Sequence, residues 1–201
     1  MARVTLWMQM SLDGFAEGPD ERVHWPVVDE ELYSSMLDEL RAAEAFLYGR
    51  KTYEIMSSFW PTADGDPAIS QFYIDFAGCW KAKPKVVFSR SLDRTDWNTK
   101  LIRRRAVEEM VALREGTDGH LIVFGGIETA AMFMTHNLID EYRLFVHPLV
   151  LGAGVRLFPP AFDTSQLQLA SVTAFDSAVV MMHYRRECAG VRPRAQRTLA
   201  S

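Results

Sequence analysis

Short apolar, β-prone runs alternate with stretches whose apolar residues recur every three or four positions, and this alternation constrains the fold more than any other feature of the chain. Val4 to Met10 reads as a strand closed by the turn sequence Ser11-Leu12-Asp13-Gly14. Leu32, Met36, Leu40 and Ala43 mark the buried stripe of a helix that Asp29 can cap, and Ala45 to Tyr48 follows as a strand ended by Gly49. Thr52 to Phe59 is a further helical stretch, and Ile69, Phe72, Phe76 and Trp80 mark another. Lys85 to Phe88 and His120 to Phe124 read as strands, with Val107, Met110, Val111 and Arg114 along a helix between them. Glu128 to Asn137 is helical, and Tyr142 to Val150 is a long apolar strand. Two last strands, Leu167 to Phe175 and Ala178 to Arg186, are joined by a tight Asp176-Ser177 turn. Parallel neighbours need crossover connections, so the pattern predicts an α/β fold: a mostly parallel central sheet, helices on both faces and a C-terminal antiparallel hairpin.

Composition narrows the class. The chain has 201 residues, 48% hydrophobic and 24% charged, which excludes disordered and collagenous proteins and suits one core. A single domain is expected over residues 1–187, followed by a small, polar, basic and disordered tail over 188–201. A formal charge of -4 gives no field to recruit nucleic acid, and the runs Arg103-Arg104-Arg105 and Arg192, Arg194 and Arg197 read as solvated surface. Cys79 and Cys188 stand alone, without zinc-ligand spacing, so no metal site and no disulfide framework is expected. The first apolar stretch is interrupted by Gln9 and stopped by Ser11 and Asp13, too short for a signal or a membrane span. The expected location is the cytoplasm.

In open α/β sheets ligands bind beyond the carboxyl ends of the strands. Gly49 would let the chain turn sharply there, while Arg50 and Thr52 bring a guanidinium and a hydroxyl to the start of a helix, chemistry suited to phosphate. Ser89 and Arg90 repeat that pairing after another strand, and two such ends side by side would hold the 2′-phosphate that distinguishes NADPH from NADH. Gly125-Gly126 precedes a helix, where bare backbone can approach a pyrophosphate. No GxGxxG follows in Ile127 to Ala130 or after Gly152-Ala153-Gly154, so the Rossmann fingerprint is absent. Carboxylates near the expected cleft are Asp13, Asp29 and Glu30, of which Asp13 also suits a turn and Asp29 a helix cap. No nucleophile-base set can be assembled from the five histidines.

Together these segments resemble the dihydrofolate reductase-like superfamily, and within it stand-alone proteins similar to the C-terminal reductase domain of the riboflavin-biosynthesis deaminase/reductase. The resemblance runs from Val4 to about Arg186 and rests on Ser11-Leu12-Asp13-Gly14, Tyr48-Gly49-Arg50-Lys51-Thr52-Tyr53-Glu54, Val87-Phe88-Ser89-Arg90, Val123-Phe124-Gly125-Gly126 and Pro148-Leu149-Val150-Leu151-Gly152-Ala153-Gly154. It implies NADPH as cofactor, with Arg50, Lys51, Thr52, Ser89 and Arg90 at the 2′-phosphate and Gly125, Gly126, Glu128 and Thr129 at the pyrophosphate. It places the loop of Asp13 and Gly14 over the nicotinamide. Folate enzymes carry one carboxylate a few residues after a Trp; here Trp25 is followed by both Asp29 and Glu30, so the register departs from theirs. The implied activity is hydride transfer to a C=N or C=O bond of a small heterocycle, pteridine or ribosylamino-pyrimidine-like, with a proton from water or from Asp29 or Glu30. Trp25 and Tyr53 are candidates to pack against the substrate ring. The rival expectation is a non-catalytic NADPH-binding sensor or structural protein that retains the fold. A homodimer is expected, using Tyr142 to Val150 and the final hairpin as its apolar surface.

Overall fold

The computed structural model describes residues 1–19, 30–65, 69–158 and 167–187. In chain order the elements are β1 (Arg3–Ser11), β2 (Phe15–Glu17), α1 (Glu30–Ala42), β3 (Ala45–Gly49), α2 (Arg50–Phe59), α3 (Gln71–Ala82), β4 (Lys85–Phe88), β5 (Thr99–Ile102), α4 (Ala106–Glu115), β6 (His120–Phe124), α5 (Ile127–Thr135), β7 (Glu141–His147), β8 (Val155–Arg156), β9 (Leu167–Ala174) and β10 (Val180–Arg186). Eight strands form one sheet in the order β5-β4-β3-β6-β1-β7-β10-β9, and β2 pairs with β8 apart from it. The six strands from β5 to β7 run parallel, whereas β10 is antiparallel to both β7 and β9. The expected α/β architecture with its terminal hairpin is therefore present.

Alternation along each strand divides the core in two. Val4, Leu6 and Met8 of β1 pack with Leu121 and Val123 of β6 against Met110 of α4 and Ala130 and Phe133 of α5. Trp7, Phe46, Ile122 and Phe145 face the other way, against Leu32, Met36 and Leu40 of α1 and Phe72, Phe76 and Trp80 of α3. Trp80 and Tyr48 are fully buried, and the indole Nε1 donates to the Tyr48 hydroxyl at 3.1 Å, so neither polar tip is left unpaired.

Three strands carry too little periodicity to be read in advance. β5 is a four-residue, half-exposed edge, and β2 and β8 have three and two residues and pair only with one another. The predicted strand from Tyr142 to Val150 stops at His147 because Pro148 has no N–H to donate. The final hairpin is not closed by a two-residue turn. Residues 175–179 connect its strands, with Phe175 and Val179 hydrogen-bonded at 3.0 Å and Ala178 at a φ of 60°. The predicted cap Asp29 and the tail 188–201 lie outside the described residues.

At the amino ends of the strands a polar layer lies under α1. Glu39 pairs with Arg143 at 2.6 Å, His120 with the Thr5 hydroxyl at 2.7 Å, and Glu141 with His183 at 2.9 Å. Burial pushes the His120 imidazole down to about 4, so it is neutral and serves as a hydrogen-bonding group.

Lys85 opens β4 with 1% exposure, and its ammonium donates to the carbonyls of Trp80 at 2.6 Å and Lys83 at 2.7 Å, closing the carboxyl end of α3. Burial pushes this lysine down from 10.5 to about 8. Between those values the unfolded chain binds the additional proton, so this group makes stability rise with pH from about 8 to 10.5. Urea melts of the protein and of Lys85→Met across that range are expected to show the rise only in the unmutated chain; parallel pH profiles would refute it.

Candidate functional site

The carboxyl ends of β3 and β6, adjacent and parallel in the sheet, lead directly into α2 and α5. Gly49 and Gly126 are the residues before those helices, and neither helix has a side-chain cap. Gly49 has a φ of -81° and a ψ of 170°, extended backbone open to any residue, so a sharp turn is not what requires glycine. Space is. A Cβ on Gly49 would lie 2.8 Å from the Thr129 hydroxyl, and one on Gly126 would lie 2.9 Å from the Gly49 nitrogen. Gly126 also has a φ of 76°, and Gly125 one of 54°. The start of α2 and the start of α5 thus meet backbone to backbone, and the Thr52 hydroxyl lies 3.1 Å from the place of a Gly125 Cβ. Two sets of uncapped helical N–H groups, with the positive ends of two helix dipoles, share one small volume.

Around this junction the predicted residues fall into distinct situations. Arg50, the first residue of α2, is half-exposed and folds back onto Glu54 at 2.9 Å, while Lys51 reaches across to Glu17 of β2 at 3.3 Å. Ser89 follows β4, and its hydroxyl accepts from the backbone of Ser91 at 3.3 Å and Leu92 at 3.1 Å, setting the turn that carries Arg90. Arg90 is exposed and enters no ion pair among the described residues. Glu128 is exposed in the first turn of α5, and Thr129 is buried behind it. Tyr53 is 4% exposed, and its hydroxyl donates to the Asp96 carbonyl at 3.1 Å and accepts from the Asp96 N–H at 3.0 Å. That pair fixes segment 91–97 beside α2, where a cleft of about 480 Å³ lies between Tyr53, Glu54, Ser57 and the segment.

The loop after β1 is tied to the loop after β7. The Asp13 carboxylate accepts from the Ser11 hydroxyl at 2.7 Å, from Leu151 N–H at 3.1 Å and from Gly152 N–H at 2.8 Å. The Ser11 hydroxyl first, then the Gly152 and Leu151 amides, hold its carboxyl down at about 2 against a smaller opposing effect of burial. Asp13 is therefore ionised at neutral pH and has no proton to give. Gly14 follows at a φ of 89°, its carbonyl accepting from Leu157 N–H at 3.3 Å. Glu30 is exposed at the first turn of α1, whose amino end lies on the side of the sheet where β1 ends. Asp29 and Trp25 lie outside the described residues.

Two polar side chains that the sequence did not mark as functional stand at the same strand ends. The Gln9 carbonyl accepts from His147 Nε2 at 2.6 Å, and burial pushes the imidazole down, keeping it neutral. The signal was present as a polar residue interrupting each of two apolar strands, but only the β1–β7 pairing brings the two together.

The chain matches the family described as the RibD C-terminal domain over residues 2–181. It is 30% identical over 185 residues to the uncharacterized protein YyaP of Bacillus subtilis, covering 90% of this chain and 94% of that one. Among solved structures, a putative riboflavin biosynthesis protein from Shewanella superposes with a TM-score of 0.67 at 20% identity, covering 94% of this chain and all (100%) of that one. The diaminohydroxyphosphoribosylaminopyrimidine deaminase/5-amino-6-(5-phosphoribosylamino)uracil reductase of Thermotoga maritima superposes with a TM-score of 0.63 at 16% identity, covering 92% of this chain and 56% of that one. No helix among the described residues is long and apolar enough to cross a membrane.

Gly126→Ala must accommodate both a positive φ and a backbone collision, and is expected to cost about 1–3 kcal/mol or more in urea unfolding. A stability equal to that of the unmutated chain would show that the two helix starts do not abut. Asp13→Ala is expected to speed hydrogen exchange at the Leu151 and Gly152 amides. In the unmutated chain the same clamp persists above the ordinary carboxylate range and is lost as pH falls through about 2.

Proposed function

Because the chain belongs to the RibD C-terminal domain family, we propose that it is an NADPH-dependent reductase acting on a C=N or C=O bond of a small heterocycle, pteridine or ribosylamino-pyrimidine-like. The observation that carries this reading is the junction of α2 and α5, where uncapped N–H groups and dipoles converge on backbone that no Cβ obstructs. Such a cradle fits a pyrophosphate. Gly125, Gly126 and Thr129, with Glu128 in the same turn, would receive it.

One strand further out, Ser89 and Arg90 stand beside Arg50, Lys51 and Thr52, since β4 neighbours β3. Arg90 is free of ion pairs among the described residues, and Arg50 has only an exposed partner on its own helix to exchange for a phosphate. These groups fit the 2′-phosphate of NADPH. Bound there, the cofactor would supply a hydride, and the protein's work is to fix geometry and manage a proton. The Asp13 clamp holds the Gly14 loop against the 149–154 loop, a rigid wall for the nicotinamide end. Asp13 does not donate the proton, so that role goes to Asp29, Glu30 or water. Trp25, outside the described residues, is the sequence's candidate to pack against the substrate ring, while Tyr53 holds segment 91–97 in place.

Direct binding and turnover test the reading separately. NADPH is expected to bind more tightly than NADH, and Arg50→Ala or Arg90→Ala to narrow the gap by about tenfold with little change for NADH. Equal affinities in the unmutated protein would defeat the 2′-phosphate assignment. Loss of reduced-nicotinamide absorbance is expected with at least one of a dihydropterin, a ribosylamino-pyrimidine or a simple carbonyl. Tight NADPH binding without turnover on any of them would favour a non-catalytic binding protein.

A further inference from the structure

The central sheet is stepped at its carboxyl edge. β6 ends at Phe124, opposite Trp7, and the Gly125 N–H donates to the Trp7 carbonyl at 3.2 Å. β1 runs on from Met8 to Ser11, still paired with β7, while no strand among the described residues pairs with that stretch on its other side. Gly125 therefore stands at the inner corner of the step, and Gln9 lies about 7 Å further along β1. β7 is flanked by β1 and β10, so Glu141–His147 lies inside the sheet and not on the dimer surface expected of it.

Strand alternation sets Trp7 and Gln9 of β1, Phe124 of β6, and Phe145 and His147 of β7 on one face. That face is the one α1 covers, and the first turn of α1 carries Glu30. Gln9 is half-buried and His147 buried. With the Gln9 carbonyl oxygen 2.6 Å from Nε2, that nitrogen carries the imidazole proton, and the amide is fixed with its NH2 group turned away from His147. The NH2 group donates to nothing among the described residues. Beside the pair, half-buried Phe124 stacks on Tyr48 at 5.7 Å and supplies a flat apolar surface. Burial keeps His147 neutral, so this end of the floor carries no charge. Uncharged donors on a flat apolar floor match a neutral acceptor on a planar ring.

We propose that Gln9 determines substrate specificity, and that the substrates are heterocycles bearing a ring carbonyl, a lactam or uracil-type oxygen that accepts from the Gln9 NH2 group. The inference rests on the reading of the chain as a reductase of small heterocycles and narrows it. Open-chain carbonyl compounds, and rings with an amino group in place of the oxygen, are not substrates. An amino group there sets donor against donor. His147 is the positioning residue: without it the amide can turn over, and then offers its oxygen to an amino group as readily as its NH2 to a carbonyl. The donor belongs to the substrate because it lies on the face of α1 and its candidate acid. The carboxamide of the cofactor has the same acceptor chemistry, and the test separates the two.

Calorimetric titration of the NADPH-loaded protein with pterin, and with the analogue that has an amino group in place of the ring carbonyl, tests the assignment. Pterin is expected to bind more tightly by about tenfold to a hundredfold. Gln9→Glu keeps the shape and still accepts from His147, but turns an acceptor to the ring, so the preference is expected to invert. His147→Ala is expected to bring the ratio of the two affinities close to one. If Gln9→Glu does not fold, Gln9→Met, which removes the donor and adds no acceptor, is expected to do the same. Equal affinities in the unmutated protein, a preference for the amino ring, or a ratio untouched by the Gln9 substitutions would overturn the proposal. So would failure of both pterin and aminouracil to bind. NADPH affinity is expected to be alike in all variants; its loss in Gln9→Glu with the ring ratio unchanged would assign the donor to the cofactor and overturn the substrate contact. Ring preference that inverts in a protein without NADPH binding or turnover would defeat the reductase reading and leave ring recognition standing. Turnover with an unchanged ratio would do the reverse.

Discussion

The meeting of α2 and α5 at the carboxyl edge of the sheet depends on one contact, the backbone of Gly49 against that of Gly126. It joins the first residues of two helices that leave neighbouring parallel strands, and it leaves their unsatisfied N–H groups side by side. A methyl group at either position would push the helices apart. The same contact spaces Thr52 against Gly125 and Thr129 against Gly49, so the hydroxyls of both helices line the junction without capping either. Close packing alone thus leaves uncapped helical N–H groups of the kind that attract anions, before any charged side chain is considered.

Around that contact the polar groups divide between fixed and free. Asp13 is committed to three donors, Lys51 to Glu17, and Tyr53 to the backbone of Asp96, so the Asp13 loop, the short strand β2 and segment 91–97 are held by charge-assisted or doubly made hydrogen bonds. Arg50 and Arg90 are exposed at the rim. A fixed frame with exposed cations at its edge suits the proposed ligand, whose one end is a phosphate and whose other end must be placed to a fraction of an ångström. The neutral Gln9–His147 pair stands near the carboxyl ends of β1 and β7, polar but without net charge.

Much of the frame was legible in the sequence because periodicity reports burial. β1, β3, β4 and β6 are apolar runs buried on both faces, and the stripe Leu32, Met36, Leu40 reports the face of α1 that meets them. Elements defined by their partners escaped: β5 is an exposed edge, β2 and β8 exist only as a pair, and the Ala170 bulge is visible only as a shift against β10. Of the site, the phosphate-suited ends stood out because Gly, Arg and hydroxyl residues cluster after strands. The reason for Gly49 did not, since close approach between residues 77 positions apart leaves no local trace.

Residue order by itself determined the alternation of strand and helix, the parallel sheet that follows from crossover connections, and the set of side chains delivered to the carboxyl edge. Those are local properties of turn chemistry and hydrophobic period. Tertiary structure decided what each of them does. It turned Asp13 from a possible acid into a clamp by bringing Leu151 and Gly152 to it, made Tyr53 an anchor through Asp96, paired Gln9 with His147, and left β9 bare at the sheet edge. Each outcome depends on groups distant in sequence meeting in space, and the free energy of such a meeting belongs to the pair, not to either residue alone.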